Sequence, residues 1–177
     1  MRVISGKYKG KVLEGFDING TRPTMDRVKE SMFASIQNYV KDSVVLDLFA
    51  GSGSLGIEAL SMGAKECTFV DYGKEVYKIL SKNVKEIEDT ILINADYVNA
   101  LNSFKGNKKF DLILLDPPYK KNLINDCLEK IYDYDLISDD GIIVCEYETE
   151  KVFSDKYKLI KSKKYGSKFV DIYRRVR

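Results

Sequence analysis

The sequence feature that most constrains the fold is an apolar run that stops on an acid and two prolines. Residues Leu112–Leu115 are all apolar and lead directly into Asp116, Pro117, Pro118 and Tyr119. Neither proline can donate a backbone hydrogen bond, and Pro118 biases Pro117 towards an extended conformation. The pattern predicts a buried strand that ends abruptly, with its last carbonyl groups held outside the sheet.

This strand end predicts a site for a flat ring that carries an amino group. Ligands of open parallel sheets bind at the carboxyl ends of the strands. The Asp116 carboxylate and the Pro117 carbonyl would accept the two N–H bonds of the amino group, and Tyr119 would stack on the ring. The alternative is a tight turn with a capping aspartate, because Asp-Pro-Pro is also ordinary turn chemistry.

Three further predicted strands place an aspartate at or near their carboxyl ends. These strands cover Ser43–Phe49, Glu66–Asp71 and Thr90–Asp96, and the acids are Asp47, Asp71 and Asp96. An acid in the position of Asp71 can hydrogen-bond both ribose hydroxyls, and Asp96 would accept from an adenine amino group. Each aspartate could instead cap the following helix, which is the commoner use of the residue at such a place.

A glycine-rich turn follows the first of these strands. Gly51, Gly53 and Gly56 permit a tight turn and a close approach of a ligand to the start of a helix that ends near Gly63. This spacing fits dinucleotides as well as S-adenosylmethionine. Asp47 lies four residues before Gly51, where it would repel a pyrophosphate and attract the ammonium group of a methionine moiety. We therefore favour the methyl donor over NAD, and no Tyr-Lys or His arrangement of a dehydrogenase is evident.

The order of the predicted elements indicates one α/β domain with a seven-stranded, mostly parallel sheet and helices on both faces. The remaining strands are predicted over Phe110–Asp116, Gly141–Glu146, Tyr157–Tyr165 and Lys168–Arg175, the last two forming an antiparallel hairpin around Gly166-Ser167. Helices are predicted from Thr24 or Asp26 to Tyr39, from Lys74 to Glu88 and from Asn122 to Tyr132. A small hairpin, Arg2–Gly6 with Tyr8–Glu14, precedes them, so we divide the chain into an extension over 1–40 and a main domain over 41–177.

The composition narrows the possible chemistry. The chain contains no histidine, so acid–base steps must use carboxylates, Tyr, Lys or the backbone, and a common zinc site is not expected. Cys67, Cys127 and Cys145 are widely spaced within apolar patterns, which predicts reduced core thiols rather than disulfides or metal ligands. We find no signal-peptide pattern and no apolar run long enough to span a bilayer, so we expect a cytoplasmic protein with no membrane or metal partner.

The charge is unevenly distributed along the chain. Residues 1–30 carry seven basic against four acidic side chains, and residues 151–177 carry ten against two, whereas the centre is acidic. Basic ends around an acidic centre suggest a polyanion bound at the periphery and a cation or amine at the centre. Solubilising lysines on exposed faces would give the same pattern.

Several sequence blocks together resemble one known family. They are Arg2-Val-Ile-Ser-Gly6, Thr21-Arg22-Pro23-Thr24, Arg27-Val-Lys-Glu30-Ser-Met-Phe33, the stretch from Asp47 to Ala64, Asp116–Tyr119 and Tyr165-Gly166. The chain resembles the bacterial 16S ribosomal RNA (guanine-N2) methyltransferases, which are Rossmann-like class I enzymes that use S-adenosylmethionine. The resemblance implies methyl transfer to the exocyclic N2 amine of a guanine in 16S ribosomal RNA, on an assembled or assembling 30S subunit. We expect the protein to act as a monomer.

The resemblance also implies roles for individual residues. Residues that line the cofactor would be Asp47, Phe49, Gly51, Ser52, Gly53, Asp71, Asp96 and Asp116. The catalytic group that grips the guanine would be Asp116, Pro117, Pro118 and Tyr119. The segment around Arg22 to Phe33 resembles the family's N-terminal block, which closes over the cofactor and approaches the RNA, and it contributes Arg22, Thr24 and Arg27 as RNA-binding candidates. The exposed side of the predicted hairpin adds Arg2, Lys7, Lys9 and Lys11 to these candidates. One departure is Tyr72-Gly73 after Asp71, where family members more often carry a charged or polar pair.

Two alternatives remain open at this point. A DNA adenine-N6 methyltransferase would use the same Asp-Pro-Pro-Tyr grip, although such enzymes usually need a sizeable recognition insert that the short connections here do not provide. A non-catalytic RNA-binding assembly factor could retain the fold with a vestigial cofactor site. The intact acids and glycines argue against that second alternative.

Overall fold

The computed structural model describes residues 1–16 and 23–176, except for the side chains of Pro23, Thr24 and Lys120. Residues 17–22, which include Arg22, and the side chain of Thr24 therefore lie outside the described part of the chain.

Seven strands form a single sheet within the described residues, in the order β3-β2-β1-β4-β5-β7-β6. They are β1 (Val44–Asp47), β2 (Glu66–Asp71), β3 (Thr90–Asn94), β4 (Phe110–Leu115), β5 (Ile137–Tyr147), β6 (Tyr157–Tyr165) and β7 (Lys168–Arg175). The first five strands pair in parallel, whereas β7 is antiparallel to both β5 and β6. The predicted Rossmann-like sheet with an antiparallel C-terminal hairpin is confirmed.

Helices cover both faces of this sheet. They are α1 (Pro23–Val40), α2 (Ser54–Ser61), α3 (Lys74–Asn83), α4 (Tyr97–Phe104) and α5 (Ile124–Asp133), and a short 3₁₀ helix covers Tyr119–Lys121. The apolar faces of α1, α2 and α3 are buried in one core cluster, and those of α4 and α5 are buried in a second cluster on the opposite side. The parallel strands therefore have both faces covered, as their apolar sequences require.

The boundaries of three predicted elements differ from the structure. The N-terminal hairpin contains one antiparallel bridge, between Arg2 and Val12, because residues 5–10 form turns instead of extended strands. Helix α3 ends at Asn83 rather than Glu88, since three acids follow within six residues and acids are unfavourable at a helix C-terminus. Strand β5 begins before Gly141 because Ile137 pairs with Phe110 across a register shift.

Helix α4 is not predicted by the sequence analysis. The segment contains no charged residue between Tyr97 and Phe104, so it lacks the charged outer face that marks α1, α3 and α5. Its inward residues are Ala100, Leu101 and Phe104, and all three are buried. Asp96 caps this helix by accepting a hydrogen bond from the backbone N–H of Asn99 at 2.9 Å.

A buried ion pair joins the N-terminal segment to the main domain. Glu58 on α2 accepts hydrogen bonds from the backbone N–H groups of Ile4 and Ser5 and lies 3.2 Å from the ammonium group of Lys29 on α1. Lys29 also donates to the Arg2 carbonyl and to the Ser54 hydroxyl. Buried charges are tolerated when their remaining hydrogen-bonding capacity is used in this way, so the pair fixes the segment against α1 and α2.

The three cysteines are buried and unpaired, as predicted. In the part of the chain that the structure describes, no helix combines the length and the apolar character needed to cross a membrane.

Candidate active site

Two adjoining cavities lie at the carboxyl ends of the parallel strands. The larger has a volume of about 800 Å³ and the smaller about 270 Å³. The residues that line both of them are Phe16, Phe49, Gly51, Asp116 and Tyr119. The two cavities therefore share a wall, and the predicted Asp116–Tyr119 corner belongs to it.

The glycine turn brings α2 close to β2. Gly51 and Gly53 have positive φ angles of 57° and 86°. A Cβ atom on Gly56 would lie 2.3 Å from the Phe69 ring, and one on Gly53 would lie 2.7 Å from Leu80. Gly51 and Ser52 line the smaller cavity, whereas Gly53 lines neither cavity. In this structure Gly56 thus allows α2 to pack on the sheet, Gly53 leaves room for Leu80 of α3, and Gly51 lies where a ligand would sit.

Asp47 lies beneath this turn and lines neither cavity. Its side chain is 1% exposed, and its Oδ2 atom accepts a hydrogen bond from the backbone N–H of Gly56 at 3.0 Å. Burial raises the pKa of Asp47 to about 7. The contact between Asp47 and a methionine ammonium stays a prediction.

Asp71 lines the larger cavity and is held by two backbone amides. Its Oδ2 atom accepts from Gly51 at 2.9 Å, and its Oδ1 atom accepts from Gly73 at 3.2 Å. Each carboxylate oxygen has a second lone pair, so Asp71 can still accept hydrogen bonds from ribose hydroxyls. Tyr72, at the departure from the family pattern, is 75% exposed and lines the same cavity.

Asp96 also lines the larger cavity, and it serves as the N-cap of α4. Its Oδ1 atom accepts from the backbone N–H of Asn99, and its Oδ2 atom accepts from the Asn99 side chain at 2.6 Å. The structure thus contains the capping role that the sequence analysis left open for this residue. The adenine contact stays a prediction beside it.

Asp116 differs from the other acids because no group among the described residues donates a hydrogen bond to its carboxylate. Burial raises its pKa well above the ordinary range, and the nearby charges of Glu146 and Asp47 raise it further, while Lys168 opposes them. Pro117 is buried and Pro118 is exposed, and both line the larger cavity. The carboxylate at the shared wall is therefore available to a ligand.

Tyr119 is held by two residues that the sequence analysis did not select. Its hydroxyl donates to Oε1 of Glu146 at 2.9 Å, and the ammonium group of Lys168 lies 5.2 Å from its ring centroid. Lys168 also forms an ion pair with Glu146 at 3.3 Å. Burial raises the pKa of the Tyr119 hydroxyl, which therefore stays protonated. Glu146 ends an apolar strand as the other site acids do, and this signal could have identified it.

Helix α1 forms the opposite side of the smaller cavity. The α1 residues that line it are Met25, Asp26, Val28, Lys29 and Met32. Together with Met1, they enclose the space in front of Asp116 and Tyr119. This placement gives the 1–40 extension direct access to whatever binds there.

The basic residues predicted to meet RNA are only partly described. Arg2, Lys9 and Arg27 are exposed. Lys7 and Lys11 form ion pairs with Glu88 at 2.7 Å and Glu86 at 3.4 Å. None of these five residues lines either cavity, and their contact with RNA stays a prediction, as does that of Arg22 and Thr24.

The polar and aromatic groups that line the larger cavity fit an adenosyl group. Asp71 and Asp96 supply carboxylate oxygens to a ribose and an amine, and Phe49 and Tyr97 supply aromatic walls, with ring centroids 5.6 Å apart. Nucleoside sites combine such apolar walls with a few placed polar groups. The residues present can therefore hold the cofactor that the sequence predicts.

Comparison with known proteins places the chain in a family. The model of a family described as conserved hypothetical protein 95 matches residues 1–174. The chain belongs to this family. Within it, a Haemophilus influenzae protein named ribosomal RNA small subunit methyltransferase D is 35% identical over 94% of this chain and 89% of its own length. A Bacillus subtilis protein described as an rRNA methyltransferase is 40% identical over 99% of both chains.

A solved structure supports the fold described above for this chain. An Escherichia coli protein described as a methyltransferase superposes with a TM-score of 0.87 and 29% identity, covering 99% of this chain and 97% of the other. The resemblance inferred from the N-terminal and Asp-Pro-Pro-Tyr blocks is confirmed by the family match.

Proposed function

We propose that this protein transfers a methyl group from S-adenosylmethionine to the exocyclic N2 amine of a guanine in small-subunit ribosomal RNA. The observation that carries the proposal is the Asp116 carboxylate, which lies on the wall shared by both cavities and receives no hydrogen bond from the described residues. The names of the relatives support ribosomal RNA as the substrate.

Asp116 and its neighbours would make the target amine a better nucleophile. The lone pair of the guanine N2 atom is delocalised into the ring. Hydrogen bonds from both N2 protons to Asp116 and to the Pro117 carbonyl favour a tetrahedral nitrogen and release that lone pair. Transfer would form the N–C bond as the methyl–sulfur bond of the donor breaks, with neutral S-adenosylhomocysteine as the leaving group. The nitrogen would lose a proton, which Asp116 can accept because burial and neighbouring acids raise its pKa.

The cofactor supplies a methyl group already activated by the positive charge on sulfur. The protein contributes position, with the amine held at the shared wall between the two cavities. Tyr119 offers a ring on which a base removed from its stack can lie, and such stacking is worth about 1–3 kcal/mol. Helix α1 closes the smaller cavity, so the 1–40 extension acts as a lid over the cofactor and as a contact surface for the RNA.

The assembled or assembling 30S subunit is the substrate form that we infer, with the protein acting as a monomer. The described part of the chain is a single sheet with short connections, which leaves little surface for reading a linear sequence. RNA without accessible base edges is recognised mainly by shape.

The substitution Asp116→Ala tests the proposal. We expect loss of methyl transfer with nearly unchanged binding of S-adenosylmethionine, because Asp71 and Asp96 hold the adenosyl group. Transfer of tritiated methyl groups to small subunits, free ribosomal RNA and plasmid DNA gives the activity, and calorimetric titration gives the affinity. Equal loss of both would make Asp116 structural, and methylation of plasmid DNA instead would favour the adenine-N6 alternative.

A wild-type protein that does not bind S-adenosylmethionine in the same titration would favour the non-catalytic assembly factor. Asp139→Ala is the matched control, because Asp139 is an exposed acid on β5 that lines neither cavity. It should leave both measurements unchanged.

A further inference from the structure

Glu146 and Lys168 form a polar pair inside the smaller cavity. The Glu146 side chain is 9% exposed and the Lys168 side chain 28% exposed. Oε1 of Glu146 accepts a hydrogen bond from the Tyr119 hydroxyl and forms an ion pair with the Lys168 ammonium group at 3.3 Å. Two carboxylates that share one cavity repel each other, and the charge of Glu146 adds to burial in raising the pKa of Asp116. This unfavourable placement of two acids indicates that a ligand binds to Glu146 and Lys168.

The pair retains free hydrogen-bonding capacity. Oε2 of Glu146 accepts from none of the described residues, and the Lys168 ammonium group, 3.3 Å from Oε1, has three N–H donors. Asp116 likewise accepts from none of them. All three side chains line the smaller cavity. The cavity therefore presents two acceptors and one donor to a ligand.

The sheet fixes the order of these three groups. Asp116 follows β4, Glu146 lies on β5 and Lys168 begins β7, and these strands are consecutive neighbours in the sheet. Leu115 pairs with Cys145, which places Asp116 and Glu146 at the same level of the sheet edge. Phe169 pairs with Tyr147, which brings Lys168 beside the end of β5. Across the sheet edge, the groups therefore follow in the order acceptor (Asp116), acceptor (Glu146) and donor (Lys168).

This order is complementary to the pairing edge of guanine. That edge presents the N2 amine as a donor, then N1–H as a donor, then O6 as an acceptor. Adenine presents an acceptor at N1, which would face a carboxylate. We propose that Glu146 and Lys168 are specificity-determining residues that bind N1–H and O6 of the target guanine while Asp116 binds its N2 amine. The inference rests on the proposed guanine-N2 activity and deepens it.

The competing explanation is that the pair only holds Tyr119 in place. The hydrogen bond from the Tyr119 hydroxyl and the position of Lys168 over its ring are consistent with that role. The two explanations differ in one measurable respect. A support for Tyr119 would affect every target base equally, whereas hydrogen bonds to N1 and O6 affect the choice between bases.

Mass spectrometry of 16S RNA first identifies the guanine that the protein methylates. The test then uses small subunits reconstituted with 16S RNA in which this guanine is replaced by 2,6-diaminopurine. This base keeps the N2 amine but has an acceptor at N1 and a donor at position 6. We expect the wild-type kcat/KM to be about 10- to 100-fold lower on diaminopurine than on guanine, the range of one well-formed pair of base contacts.

Two substitutions should reduce this discrimination. In Glu146→Gln, the side-chain amide can donate to N1 of diaminopurine, so the ratio of kcat/KM values should fall about tenfold. In Lys168→Met, the donor to O6 is lost, so activity on guanine should fall while activity on diaminopurine changes little. Because Lys168 is partly exposed, this second variant keeps the test valid if Glu146→Gln folds poorly.

Two controls separate base choice from support of Tyr119. Tyr119→Phe removes the hydroxyl bonded to Glu146 and should keep the wild-type ratio at lower activity. Lys164→Met removes a lysine on β6 that lies 5.5 Å from the Phe169 ring and lines neither cavity, and it should also keep the ratio.

Ratios for Glu146→Gln and Lys168→Met that equal the wild-type ratio would overturn the inference. So would a Tyr119→Phe ratio that falls as far as theirs. Failure of the wild-type protein to methylate the guanine-containing subunits would instead refute the proposed function, so the two failures are distinguishable.

Discussion

The two cavities hold their acids in different ways. On the cofactor wall, defined by Asp71 and Asp96, each carboxylate oxygen accepts a backbone or side-chain N–H. On the target wall, defined by Asp116, Glu146 and Lys168, Asp116 accepts nothing from the described residues and Glu146 keeps one oxygen free. Paired acids help to build the fold, whereas unpaired acids are held available for a ligand at a cost to stability.

Asp47 belongs to neither wall. It accepts a hydrogen bond from Gly56, as the paired acids do, but it is buried so deeply that its charged form is disfavoured. The folded-state pKa of about 7 lies above the ordinary value of 3.8, so the folded protein binds the extra proton between these pH values. The contribution of Asp47 to the free energy of unfolding therefore falls as pH rises from about 4 to about 7, by up to about 4 kcal/mol.

The substitution Asp47→Asn should remove this pH dependence. We expect the difference in unfolding free energy between variant and wild type to shift in favour of the variant as pH rises across that range. Denaturant unfolding at several pH values measures it, and Asp139→Asn, an exposed control, should show a constant difference. A constant difference for Asp47→Asn as well would mean that Asp47 is charged in the folded protein.

On the cofactor wall, Asp71→Asn should destabilise the protein by about 1–3 kcal/mol, because a partly buried amide loses its hydrogen bond to a carboxylate. An asparagine has one acceptor oxygen, so only one of the Gly51 and Gly73 amides can keep its bond. Thermal and denaturant unfolding of the cofactor-free protein measure this effect.

Asp96→Asn is the matched comparison on the same wall. Asparagine caps helices about as well as aspartate, so this change should alter the unfolding free energy by less than about 0.5 kcal/mol. If the two substitutions had equal effects, the amide contacts of Asp71 would not explain its contribution.

How far the sequence predicted this arrangement depends on the kind of contact. Strand ends could be read from apolar runs, which is why Asp71, Asp96 and Asp116 were assigned to one sheet edge. The burial of the Asp47 side chain could not be predicted from the sequence, because it depends on which backbone amide donates to that side chain. Glu146 carried the same strand-end signal but was not selected, and Lys168 reaches the site through antiparallel pairing that only the folded sheet defines.

On the target wall, Asp116→Asn should have the opposite sign to Asp71→Asn. Its pKa is raised by burial and by neighbouring acids, so the ionised carboxylate costs folding free energy at high pH. Removing the charge should therefore stabilise the cofactor-free protein at pH 8 and have little effect at pH 4. A loss of stability at pH 8 would show that the carboxylate has a partner in the folded protein.

The smallest effect concerns the pH dependence of methyl transfer. Asp116 must be ionised to accept from the target amine, so the rate should fall on the acid side as pH decreases through its raised pKa. Glu146 raises that pKa and Lys168 lowers it. Glu146→Gln should therefore move the acid limb of the rate profile to lower pH, and Lys168→Met should move it to higher pH, as measured by single-turnover methyl transfer to small subunits. Shifts in the same direction would mean that the acid limb reports a group other than Asp116, because the two substitutions change the local charge in opposite senses.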